Sequence, residues 1–195
     1  MTRIISGRLR GRQLAVPPAG TRPTTDRVRE ALFSAIVSRV DLEGAAVLDL
    51  FAGSGALGLE AVSRGADVAW FVEENPRAAA VLKGNTTGVS SSLPSVEAII
   101  RRAALPTAVA GPCPVAGGFP PLLAGPPHEG SRDLDGPAAE ARLGGGRLSP
   151  AALVVWERSR RSPAVRWPDG YEGVFDRTYG ETAVEMARPV DTVAP

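Results

Sequence analysis

Residues Val47 to Gly65, VLDLFAGSGALGLEAVSRG, restrict the possible folds more than any other stretch. Val47, Leu48, Leu50 and Phe51 make the short apolar run of a covered parallel strand. Ala52-Gly53-Ser54-Gly55 is a turn. From Ala56 to Arg64, Leu57, Leu59, Ala61 and Val62 recur at roughly helical spacing, and Gly65 stops the helix as a C′ residue does. A strand, a glycine turn and a helix form the unit at which an open α/β sheet binds a nucleotide-like ligand, beyond the carboxyl end of the strand.

Gly53, Gly55 and Gly58 also satisfy G-x-G-x-x-G, which alone is a weak pointer to a dinucleotide. Asp49 argues against one. A pyrophosphate site needs bare N–H groups, and a carboxylate four residues before Gly53 repels a diphosphate. It suits a ligand with an ammonium group, such as S-adenosylmethionine. The next apolar run, Val68 to Val72, ends at Glu73, twenty residues beyond Gly53. That is the usual distance for an acid that bonds ribose hydroxyls. The alternative for both acids is a solvated turn.

With 195 residues the chain is long enough for one domain with a sizeable core. No apolar run approaches the ~20 residues of a membrane span, and the N-terminus lacks the pattern of a signal peptide. A cytoplasmic location is expected. One cysteine, Cys113, and one histidine make a metal site unexpected. The net charge is +1 but unevenly spread. Residues 1–30 hold Arg3, Arg8, Arg10, Arg12, Arg22, Arg27 and Arg29 against Asp26 and Glu30, a local net of +5. Such asymmetry predicts a basic arm for an anionic partner, with these seven arginines as candidate RNA-binding residues.

In residues 1–20, Ile5, Leu9, Leu14 and Val16 are expected on the apolar side of a short hairpin broken at Gly7 or Gly11. The rest, 21–195, reads as the main domain. Thr24 or Thr25 caps a helix whose apolar stripe is Val28, Leu32, Phe33, Ile36, Val37 and Val40. A helix is expected over Asn75 to Lys83, a polar loop over Gly84 to Ser92, and a third strand over Val96 to Ile100. From Pro106 to Pro150, 18 of 45 residues are Gly or Pro, so this part is expected to be the loosest. The fourth strand falls within it, in the stretch Phe119 to His128, despite Pro120 and Pro121. Ala151 to Glu157 is a strong buried strand. Tyr171 to Tyr179 and Thr182 to Ala187 flank Gly180-Glu181, a two-residue hairpin turn.

TRIISGRLRGRQL, TRPTTDRVREALF, VLDLFAGSGALGLEAVSRGA, FVEEN, VVWERSRR and RTYGETAVEM, in this order, resemble the bacterial RsmD family. These are S-adenosylmethionine-dependent methyltransferases that act on the N2 amine of a guanine in small-subunit (16S) ribosomal RNA. The resemblance implies an α/β, Rossmann-like class I methyltransferase. Its seven-stranded, mostly parallel sheet would end in an antiparallel hairpin and carry a small N-terminal hairpin. It implies that Asp49, Phe51, Gly53, Ser54, Gly55 and Glu73 bind S-adenosylmethionine, and that the partner is ribosomal RNA or the small ribosomal subunit. A monomer is expected, without metal and without a membrane.

Two motifs depart from the family pattern. Ala103 stands where an Asp contacts the adenine amino group. Gly125, Pro126, Pro127 and His128 stand at the catalytic motif, elsewhere Asp- or Asn-Pro-Pro-Tyr, so the motif is degenerate. A second reading follows: an RNA-binding relative without catalysis. A nicotinamide-dependent oxidoreductase is a third and weaker reading, opposed by Asp49.

Overall fold

The computed structural model describes residues 2–17, 24–102, 115, 118–124, 148–167 and 169–190. The chain opens with two short strands, β1 (Thr2–Arg3) and β2 (Gln13–Leu14). These are followed by α1 (Asp26–Val37), β3 (Ala46–Leu50), α2 (Ala56–Ser63), β4 (Val68–Val72), α3 (Pro76–Ser92) and β5 (Glu97–Arg101). It then continues through β6 (Phe119–Ala124), β7 (Leu148–Ser159), β8 (Tyr171–Tyr179) and β9 (Thr182–Pro189).

Among the described residues, seven strands form one sheet in the order β5-β4-β3-β6-β7-β9-β8. β5, β4, β3, β6 and β7 run parallel, and β9 joins β7 and β8 antiparallel. The order reverses between β3 and β6, so the carboxyl end of β3 lies at the switch point where open α/β sheets bind ligands.

In-register partners in neighbouring strands share a face. Val47, Phe71, Leu123 and Val155 therefore point one way, and α1, α2 and α3 pack there. Leu32, Phe33 and Ile36 of α1 with Leu57 and Ala61 of α2 cover Val47, Leu123, Leu153 and Val155. Leu59 and Val62 of α2 with Leu82 and Val89 of α3 cover Ala69 and Phe71. Leu48, Leu50, Val72, Val154 and Trp156 form a separate cluster, as their opposite alternation requires.

Several expectations change on folding. The apolar side of the N-terminal hairpin is Ile4, Leu9 and Leu14, not Ile5 and Val16, and it enters the core between α2 and α3. Thr25, one of the two expected caps, closes the start of α1, whereas Val37, expected in its apolar stripe, is 48% exposed. The polar loop expected over 84–92 is the second half of α3. Leu82, Asn85, Thr86 and Val89 are all buried, at the spacing of one helical face. Thr86, Thr87 and Ser91 satisfy their hydroxyls on carbonyls of the preceding turn. β6 forms although it contains Pro120 and Pro121, and its pairing with β3 begins only at Leu122. On the β7 side the register shifts between Phe119 and Pro121. The turn at Gly180-Glu181 is as expected, with Tyr179 opposite Thr182.

Candidate functional site

The glycine turn is held by its own backbone conformation, by close packing and by buried side chains. Gly53 (φ 56°) and Gly55 (φ 80°) lie in the left-handed region that other residues resist. A Cβ on Gly55 would stand 2.5 Å from a Leu82 methyl, and one on Gly58 2.4 Å from the Phe71 ring, so α2 sits closer to β4 than any side chain would permit. Phe51, half-buried at the strand end, also has positive φ (58°), which is unusual for a bulky residue and stores strain at the turn.

Glu73, at the end of β4, accepts the Gly53 N–H at 2.7 Å through one oxygen and the Asn75 N–H at 2.8 Å through the other. Asp49 is 1% exposed, beneath the turn, and accepts the Gly58 N–H at 2.8 Å in the first turn of α2. Burial pushes its carboxyl up to about 7 against that hydrogen bond, and repulsion from Glu73 and Glu157 adds to the rise. The two amides that a pyrophosphate would need are thus already given to carboxylates. A cationic ligand would relieve the repulsion among Asp49, Glu73 and Glu157.

Glu157, near the end of β7, was not foreseen. It is buried, and the Thr24 hydroxyl lies 2.7 and 2.8 Å from its two oxygens. Burial raises its pKa, while Thr24 and the charge of Arg29 oppose the rise. Glu60 was missed as well. It is 0% exposed and accepts the Ile5 and Ser6 N–H groups at 2.7 and 3.0 Å, while pairing with Arg64 at 2.8 Å and Arg29 at 3.8 Å. Asn85 bonds both Ala15 and Ser54. A polar residue at an inward position of a helical repeat was the only sequence signal for Glu60 and Asn85.

The candidate RNA-binding arginines divide into different groups. Arg29 does not face a partner: it is 1% exposed and bonds Thr2, the Arg3 carbonyl and Asp26. It stands on the inner face of α1, where Val28 and Leu32 also point. Arg8 donates to the Val62 and Ala66 carbonyls at the end of α2, which suits a cation at a helix C-terminus. Arg12 reaches Ser92 and Arg3 pairs with Asp26. Arg10 and Arg27 are exposed. Arg22 lies outside the described residues, as do Ala103 and the catalytic positions Gly125, Pro126, Pro127 and His128. No group of residues able to hold a metal occurs among the described residues, and no helix there is long and apolar enough to cross a membrane.

A family model described as conserved hypothetical protein 95 matches residues 2–188. The chain is a member of this family, the RsmD family. It is 49% identical over 84 residues to the "Putative rRNA methyltransferase YlbH" of Bacillus subtilis, covering 43% of this chain and 45% of that protein. It is 57% identical over 72 residues to the ribosomal RNA small subunit methyltransferase D of Escherichia coli K12, covering 36% and 35%. The chain thus aligns with less than half the length of these curated relatives. Among solved structures, "Putative methyltransferase yhhF" of Escherichia coli matches with a TM-score of 0.79 and 30% identity, over 96% of this chain and 97% of that one. A hypothetical protein of Thermus thermophilus matches with a TM-score of 0.71 and 31% identity, over 95% and 98%. The RsmD-family chain shares with them an α/β fold built on a parallel sheet.

Proposed function

We propose that this chain is a class I, S-adenosylmethionine-dependent methyltransferase that modifies the N2 amine of a guanine in small-subunit ribosomal RNA. The observation that carries the reading is the pair of acids at the ends of β3 and β4, Glu73 bonded to the Gly53 amide of the glycine turn and Asp49 to the Gly58 amide in the first turn of α2. It favours a cationic nucleoside ligand over a phosphate-bearing one. The relatives named as ribosomal RNA methyltransferases supply the substrate class.

When bound, S-adenosylmethionine supplies a methyl group activated by its sulfonium. The chain's own part is to hold and orient. Each Glu73 oxygen already accepts one N–H and keeps a lone pair for a ribose hydroxyl. Asp49 acts from beneath the turn, through charge and through its hold on α2, in favour of the donor's ammonium. Gly53 and Gly55 keep the turn low enough for the donor to lie across it. Half-buried Phe51 and Ser54 border it. Exposed Arg10 and Arg27 meet RNA phosphates, with Arg22 in the same basic stretch, which makes affinity salt-dependent.

A guanine N2 amine is a weak nucleophile because its lone pair is shared with the ring. It reacts when acceptors hold its N–H groups and aim the lone pair at the methyl. Gly125 brings no side-chain acceptor to that task, and His128 can stack on a base and accept a hydrogen bond. The loss at Gly125 favours the second reading, an RNA-binding relative without catalysis. Calorimetric titration with S-adenosylmethionine, followed by methyl transfer to ribosomal RNA by the natural chain and by Gly125→Asp, separates the two. Micromolar binding with transfer supports the enzyme. Binding with transfer only after Gly125→Asp supports the inactive relative. A folded protein that binds no donor overturns the methyltransferase reading.

A further inference from the structure

Asn85 sits on the inner side of α3, 8% exposed, with its amide committed on both ends. Its Oδ1 accepts the Ala15 N–H at 3.0 Å. Its Nδ2 donates to the Ala15 carbonyl at 3.0 Å and to the Ser54 carbonyl at 2.8 Å. The partners fix the orientation, since two carbonyls require the NH2 side and an N–H requires the oxygen. Ala15 continues the arginine-bearing hairpin, and Ser54 lies between the two left-handed glycines of the turn. One buried side chain therefore grips the basic arm and the turn directly.

We propose that Asn85 is a positioning residue that ties the arm to the donor turn, so that RNA on the arm and donor on the turn strengthen each other's binding. The inference rests on the methyltransferase reading above. The Ser54 carbonyl belongs to the peptide shared with Gly55, so holding it sets the plane of that peptide in a turn whose glycines allow others. The two Ala15 bonds fix where the arm leaves the core. A ligand that orders either end orders the amide on which the other end depends, and the second ligand then meets a site with less freedom to lose. The effect is reciprocal by linkage.

The test is the affinity for S-adenosylhomocysteine, measured by calorimetry with and without saturating, unmodified small-subunit ribosomal RNA. In the natural protein the RNA is expected to tighten binding at least about fivefold, the lower end of usual couplings. Asn85→Ser is too short to reach both partners, and Asn85→Asp keeps only the Ala15 N–H contact. Either folded variant is expected to bring the ratio to about one. Ser92→Ala loosens the separate Arg12–Ser92 contact, 2.6 Å long, without touching the turn, and is expected to keep the natural ratio. A merely structural Asn85 would lower the melting temperature and leave the ratio unchanged, which overturns the proposal. So does a natural ratio of one when both ligands bind. Failure of the folded natural protein to bind S-adenosylhomocysteine at all instead overturns the methyltransferase reading, and this inference with it.

Discussion

The N-terminal hairpin pairs only Thr2 with Leu14 and Arg3 with Gln13, whereas β8 and β9 pair from Tyr171 and Pro189 down to Tyr179 and Thr182. The long hairpin also extends the main sheet through β7, from Val154–Ala187 to Ser159–Thr182. Its stability is that of a ladder, repeated residue by residue. The short hairpin has almost no ladder and is fastened by side chains of α2 and α3 that reach its backbone. Glu60 takes two N–H groups, Ser63 takes the Leu9 N–H at 2.9 Å, and Asn85 brackets Ala15. The glycine turn is fastened in the same manner, by Glu73 and Asn85, with Asp49 holding the first turn of the helix that follows it. One end of the molecule is thus held by repetition and the other by a few buried polar groups, each of which carries much of the load.

The largest effect is expected at Glu60. Glu60→Ala leaves the buried Arg29 and the half-buried Arg64 short of their shared carboxylate and strands two hairpin amides. A loss of about 3–5 kcal/mol follows, as for other broken buried pairs. For a chain of this size that lowers the melting temperature by roughly 6–20 °C. Thermal unfolding checks it, and a change under about 1 kcal/mol would place the hairpin's support elsewhere.

Asp49 sharpens the comparison through pH. Its carboxyl is raised from an ordinary 3.8 to about 7, so the folded state binds this proton more tightly than the unfolded state. The group's contribution to stability is therefore fully present below about pH 4 and is lost as pH rises through about 7. Asp49→Asn deletes that titration. Relative to the natural protein, the variant should gain roughly 2–4 kcal/mol between those limits. Urea unfolding at pH 5, 6 and 8 reads the difference, and parallel profiles would break the assignment. Above pH 7 the variant should also bind S-adenosylmethionine more weakly, because the opposing charge is gone.

These two regions also differ in how far the sequence disclosed them. Alternating residues around Gly180-Glu181 make a hairpin from local information alone, and the β3–turn–α2 unit is equally local. The same holds for the placement of the two acids, which the sequence puts at the ends of neighbouring strands. Which atoms they hold was not legible. Asp49 grips Gly58 rather than standing exposed at a strand end, because α2 approaches β4 so closely at Gly58 and Phe71. Arg29 lies among other arginines in the sequence and reads as one of a basic set. Its burial is made tolerable by Asp26, by Thr2 and the Arg3 carbonyl, and by Glu60, which arrives thirty-one residues later. The second half of α3 was hidden by Gly84, Gly88 and a run of Ser and Thr, residues with weak helix propensity. Packing of Leu82 and Val89 and the grip of Asn85 override that propensity.

Two glycine substitutions test the contrast between fastened and laddered hairpins directly. Gly7 (φ 82°) would place a Cβ 1.8 Å from the Ser63 carbonyl oxygen, a backbone atom that cannot rotate away. Gly7→Ala should cost about 2–4 kcal/mol from overpacking and left-handed strain together. It should also undock the arm, seen as faster proteolysis within residues 2–17. Gly180 (φ 61°) has nothing within 4 Å of its would-be Cβ. Gly180→Ala therefore carries the backbone strain alone, about 1 kcal/mol, which lowers the melting temperature by about 2–4 °C. The ladder on either side should hold its register, so amide exchange along β8 and β9 should stay protected beyond Thr178 and Ala183. If instead protection is lost along both strands, the turn rather than the ladder sets that hairpin, and the two ends of the molecule are more alike than their hydrogen bonds imply.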